Sequence, residues 1–141
     1  MMRRMRWFPL LTMLFTLCLP GARGEQARIT ERMDIAAYDG YMLQGKLDLP
    51  ASGAAQKLVV FVNGSGPNTY DNRRTTGETE FNYFDLFAEQ LTARGLAFFR
   101  MSTRGVTPAD QPPLYCEIDE AAYQTYPASH TVRDIGTRVT A

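Results

Sequence analysis

Lys57-Leu58-Val59-Val60-Phe61-Val62-Asn63-Gly64-Ser65-Gly66-Pro67 is the stretch whose reading decides the fold. Leu58 to Val62 does not alternate. It is apolar at every position and rich in β-branched residues, the pattern of a strand inside a sheet that helices cover on both faces. The glycine loop from Asn63 to Pro67 then turns the chain. From Phe81 onward, Phe81, Phe84, Phe87, Ala88 and Leu91 recur at three- and four-residue spacing, while Asn82, Asp85, Glu89 and Gln90 fill the other side. That spacing predicts an amphipathic helix. Gly95 is placed as the left-handed residue that ends it, and Leu96-Ala97-Phe98-Phe99 gives a second buried strand. Strand, helix and strand in this order pack as a right-handed parallel crossover.

Upstream, Ile29, Met33 and Ile35 alternate with Thr30, Arg32 and Asp34, and Leu43, Leu47 and Leu49 alternate with Gln44, Lys46 and Asp48. Period two predicts two strands, each with one wet face. Asp39-Gly40 between them suits a two-residue hairpin turn, in which both central residues take positive φ. Downstream, Pro108, Pro112, Pro113 and Pro127 interrupt regular structure between Val106 and His130. A long loop or lid-like excursion is expected there, with a short helix near Glu117 to Tyr123. Ser129 is placed to cap a last helix starting near Thr131.

Arg3, Arg4 and Arg6 precede an apolar run from Trp7 to Leu19, and Ala22 and Gly24 follow it. Residues 1–24 therefore read as a secretory signal peptide cleaved after Gly24, and the product as secreted or periplasmic. The apolar run is shorter than the roughly 20 residues a spanning helix needs, so no stable membrane anchor is predicted. Leu17, bulky and next to Cys18, argues against lipid attachment. Cleavage removes four of the fifteen basic side chains and none of the fifteen acids, leaving eleven against fifteen. A net charge of about −4 makes nucleic acid an unsuitable partner. Cys116 is the one cysteine left, so no disulfide forms inside the mature chain. Neither it nor the lone His130 stands at metal-ligand spacing, and no metal or cofactor is expected. Arg73-Arg74, adjacent on a polar stretch, reads as a solvated pair.

Asn63-Gly64-Ser65-Gly66-Pro67 after its strand, Phe84-x-x-Phe87-Ala88-x-x-Leu91-x-x-Arg94-Gly95, and Arg104-Gly105-Val106 after the next strand together resemble the α/β-hydrolase superfamily, in particular its secreted esterase and serine-aminopeptidase-like members. The resemblance covers residues 29 to 138. It implies an α/β fold in which residues 25–141 are the N-terminal portion of a hydrolase sheet: an antiparallel hairpin followed by a strand-helix-strand parallel unit. It also implies an oxyanion loop at Gly64, Ser65 and Gly66, with the backbone N–H of Ser65 as one donor to the developing negative oxygen. Asn63 departs from the pattern, since many relatives have His there. Arg104-Gly105 would be a structural turn with no catalytic role.

No Gly-x-Ser-x-Gly occurs in the 141 residues, and no catalytic residue is assigned. Ser65, an acid such as Asp110 or Asp119, and His130 follow the superfamily's order. A compact triad is nonetheless rejected, because a nucleophile elbow needs small residues where Asn63 and Pro67 stand. The expectation is the N-terminal, nucleophile-lacking part of an exported serine hydrolase acting on an ester or peptide bond. It would be inactive alone, and its catalytic Ser, acid and His would lie beyond Ala141. Its substrate would be a small ester or peptide, engaged only once the missing half is supplied. The alternative is a small secreted non-catalytic binding module or a degenerate remnant.

Overall fold

The computed structural model describes residues 27–124 together with residues 132, 133 and 136. The expected signal segment, the Ser129 cap and His130 lie outside the described residues. In chain order the elements are β1 (Arg28–Ala36), β2 (Met42–Pro50), β3 (Lys57–Phe61), β4 (Arg74–Thr76), β5 (Thr79–Phe81), α1 (Tyr83–Thr92), β6 (Leu96–Met101), β7 (Val106–Pro108), β8 (Cys116–Ile118) and α2 (Glu120–Gln124). The main sheet has four strands in the order β1-β2-β6-β3. β1 and β2 pair antiparallel along their whole length, β2 pairs antiparallel with β6, and β3 runs parallel to β6 with Lys57 opposite Leu96 and Phe61 opposite Arg100. Two further hairpins, β4–β5 and β7–β8, each form a separate two-stranded sheet.

The expected α/β-hydrolase sheet is corrected by this arrangement. The described chain is 41% strand and 18% helix, in antiparallel and mixed sheets, and forms a small β-rich domain. An α/β sheet carries helices on both faces. Here α1 is the one helix packed on the four-stranded sheet among the described residues, and the segments around it go into β hairpins. The polar stretch after Pro67 supplies β4 and β5, and two short pieces of the expected loop after Gly105 supply β7 and β8.

Four local readings also change. The β1–β2 turn is a three-residue loop: the Ala37 N–H donates to the Tyr41 carbonyl at 2.7 Å, and Gly40 alone takes positive φ, at 84°. One glycine absorbs the reversal, so Asp39 need not leave negative φ. α1 starts at Tyr83, where the Asn82 side chain caps it by accepting from the Asp85 N–H. Phe81 belongs to β5 instead. The inward stripe of α1 is Phe84, Ala88 and Leu91, whereas Phe87 is about half exposed. Gly95 ends the helix with φ at +76°.

The third concerns β3. It is an edge strand, and side chains alternate across it. Val59 and Phe61 join Phe98, Phe84, Ala88 and Leu91 under α1, with the Phe61 and Phe84 rings edge to face at 4.6 Å. Leu58, Val60 and Val62 stand on the opposite face, exposed at 56, 37 and 49%. The other end of that opposite face is closed by Ile35, Ala37, Leu43, Phe99 and Met101.

The predicted wet face of β2 is buried. Asp48 has no exposure and Lys46 little. Asp48 pairs with Arg100 of β6, itself fully buried, and also accepts from the Thr30 hydroxyl at 2.6 Å. Arg28 reaches Asp48 at 3.3 Å and Asp85 at 3.0 Å, and Lys46 holds Asp71 at 2.6 Å. Three bases and three acids thus neutralise one another under the N-terminus of α1. Burying charge is tolerable on these terms, since an unpaired ion in the interior costs several kcal/mol.

Candidate functional site

The loop from Asn63 to Asn68 leaves the end of β3 and is fixed at both ends. The Asn63 amide donates to the Met101 carbonyl at 2.6 Å, which ties the loop's start to the end of β6. Thr103 N–H donates to the Asn68 carbonyl at 2.8 Å, tying its finish to the same place. Asn63 thus acts as an anchor.

Between these ties the loop wraps around one side chain. The Asn68 amide nitrogen lies 3.1 Å from the Gly64 carbonyl oxygen, 3.2 Å from that of Gly66 and 3.5 Å from that of Ser65. Its orientation is settled by Arg74, whose Nη2 reaches the Asn68 Oδ1 at 3.2 Å. Guanidinium only donates, so the amide oxygen must face Arg74 and the NH₂ must face the loop. Arg74 also donates to the carbonyls of Pro67 and Leu114, at 3.1 and 2.9 Å. It is a clamp on the loop, and the solvated reading of it is corrected. Its neighbour Arg73 is a bidentate partner of Glu80 at 2.6 and 2.9 Å. That hydrogen bond holds the Glu80 carboxyl below its ordinary value and raises the Arg73 guanidinium above its own.

The planar trans peptide converts this wrapping into a direction. In a trans unit C=O and the following N–H point opposite ways. The Gly64 and Ser65 carbonyls turn in toward Asn68, so the N–H groups of Ser65 and Gly66 turn out. Both face away from the protein, and among the described residues no acceptor takes either of them. Gly66 holds φ at +114°, a conformation open to glycine and strained for other residues. Gly64 has negative φ and no atom within 4 Å of where a Cβ would stand, so a side chain there would meet only what enters from solvent.

The other sequence candidates are not brought to this loop. Asp110 is fully exposed and lies 3.9 Å from Arg73. Asp119 caps α2, accepting from the N–H groups of Ala121 and Ala122. Arg104 makes two 2.8 Å hydrogen bonds to Asp39 and lies over the Tyr41 ring, while the Gly105 N–H donates to the Tyr41 hydroxyl. This pairing holds the Asp39 carboxyl below its ordinary value. Cys116 is half buried in β8. Among the described residues no group of His, Cys, Asp and Glu could hold a metal, and no helix is long and apolar enough to cross a membrane.

Sequence reasoning missed Asn68 and Arg74. An Asn immediately after Gly66-Pro67 was the available signal, because Asn side chains bond nearby backbone.

No protein-family model, curated protein or solved structure matches this chain. The functional reading therefore rests on the residues and their geometry.

Proposed function

We propose that the chain is an exported, catalytically incomplete contributor to a serine hydrolase site for ester or peptide bonds, its part being to supply oxyanion donors. The observation that carries this is the outward pair of N–H groups at Ser65 and Gly66, held by Asn68 and Arg74. Acyl transfer needs preorganised donors aimed at the developing negative oxygen, and one such donor is worth on the order of 3 kcal/mol in the barrier. Preorganisation here comes from side-chain ties that are complete before any substrate enters. Nucleophile, acid and base must come from other polypeptide, since an oxyanion loop without them forms no acyl intermediate.

The test is titration of the ¹⁵N-labelled full chain with methylphosphonate, whose charged oxygens stand in for the tetrahedral oxyanion. The Ser65 and Gly66 amide protons should move downfield, and an active-site fluorophosphonate should label no serine. Unmoved amides would contradict the donor role. Labelling of Ser65 would contradict the absence of a nucleophile.

A second reading, a small exported non-catalytic binding module, is favoured by the two separate apolar clusters of this β-rich domain, which give it a core of its own. The two differ over methylphosphonate: a module has no reason to hold it at residues 65 and 66.

A further inference from the structure

The loop is not the only place where polar groups lack partners. On the face of β1 and β2 that carries the ion cluster, Arg32 and Asp34 project side by side, with Lys46 and Gln44 directly across from them. Arg28, Arg73, Arg100 and Arg104 each pair with an acid. Arg32 does not: among the described residues its guanidinium makes no ion pair or hydrogen bond, and it lies 6.0 Å from the centre of the Tyr70 ring. The Asp34 carboxylate likewise has no partner among the described residues. Tyr70 is 6% exposed, and its hydroxyl hydrogen-bonds no described group.

These groups line two hollows that share residues. A cleft of about 420 Å³ runs from Arg32, Gln44 and Tyr70 to Thr107, Asp110 and Tyr115. A second hollow, of about 250 Å³, is lined by Asp34 and shares Arg32, Gln44 and Tyr70 with the first. The volume lies in the range of small-molecule sites, and its polar lining excludes a purely apolar occupant. A dianion such as phosphate would meet Asp34, Asp71 and Asp110 around the walls. A simple cation would meet Arg32.

We propose that this cleft binds a small zwitterion, with Arg32 and the Tyr70 hydroxyl on its carboxylate and Asp34 on its ammonium group. Guanidinium and phenol are both donors suited to a carboxylate. Residues two apart on a strand stand about 6.6 Å apart, which leaves room for one amino-acid-sized ligand to bridge the two charges. Gln44, opposite Asp34, can donate to or accept from either end. The proposal is independent of the oxyanion loop, which shares none of these residues.

The experiment is a titration of the ¹⁵N-labelled full chain with L-alanine, acetate and methylamine in parallel. L-alanine should shift the amides around residues 32–34, 44 and 70 and saturate with a Kd in the millimolar range, while acetate and methylamine bind at least about tenfold more weakly. Arg32→Met, at an exposed position, should weaken alanine binding by about tenfold or more with the rest of the spectrum unchanged. Tyr70→Phe should weaken it by about fivefold. Absence of saturable shifts with L-alanine would overturn the site. Equal affinity for acetate and alanine would overturn its assignment to a zwitterion, and an Arg32→Met variant that binds normally would overturn the role of Arg32.

Discussion

The two outer flanks of β6 hold opposite chemistry in unexpected places. On its β2 side, charged residues are interior: Asp48 and Arg100 are fully buried and Lys46 nearly so. On its β3 side, Leu58, Val60 and Val62 are apolar and largely exposed. Hydropathy along the chain therefore predicts the reverse of the burial found. A charged strand face can be interior when distant elements bring counter-charges to it, and an apolar run can be exterior when it forms the edge of a sheet with a bare face. Partners, more than side-chain type, decide which side of a strand is closed.

Breaking the charged flank should give the largest effect. Arg100→Met leaves Asp48 buried with less compensation and should cost about 3–5 kcal/mol in urea unfolding. Adding Asp48→Leu should restore most of that loss, because replacing both members of a buried pair by apolar groups is often neutral. A double variant as weak as the single would show that the remaining ions depend on the pair.

Gly45 tests the packing between the flanks. A Cβ there would stand 2.9 Å from the Phe99 ring and 3.0 Å from Ile35, so Gly45→Ala should cost about 1–3 kcal/mol through overpacking. On the apolar flank, Val60→Thr should change stability by less than about 0.5 kcal/mol, as for other exposed positions, while reducing self-association in light scattering. A large loss would mean that the exposed face is covered in solution.

The smallest effect is on pH dependence. Asp39 is held below its ordinary value of 3.8 chiefly by its hydrogen bond from Arg104, and Glu80 below 4.5 chiefly by that from Arg73. Both folded values are depressed. The stability they add is therefore present above those ordinary values and is lost as pH falls through the folded ones. Asp39→Asn should flatten that acid limb in urea unfolding followed against pH; its partner Arg104 is only 8% exposed, so neutral-pH stability should fall as well.

How far these features could be read beforehand follows the same division. Strand positions were legible in the alternation of residues 29–35 and 43–49, and the helix stop in Gly95, because these are local signals. The fate of Lys46 and Asp48 was not, since it depends on Asp71, Asp85 and Arg100, far away in sequence. The run Leu58 to Val62 announced a strand but carried no count of its neighbours, and so the expected doubly covered sheet gave way to an edge. At the candidate site the glycines marked the loop. Its Asn68 and Arg74 clamp was hidden, because Arg74 reaches the loop from β4, a strand formed by a stretch with no apolar pattern.

These observations join in one claim: a closed, ion-paired seam carries a loop whose Ser65 and Gly66 N–H groups are held outward and free. Amide hydrogen exchange across the full chain, read residue by residue by NMR, tests it most directly. The account predicts slow exchange for paired amides along β2 and β6 and nearly unprotected exchange at Ser65 and Gly66. Protection of those two amides comparable to that of the seam would show that they already have acceptors, and would contradict it.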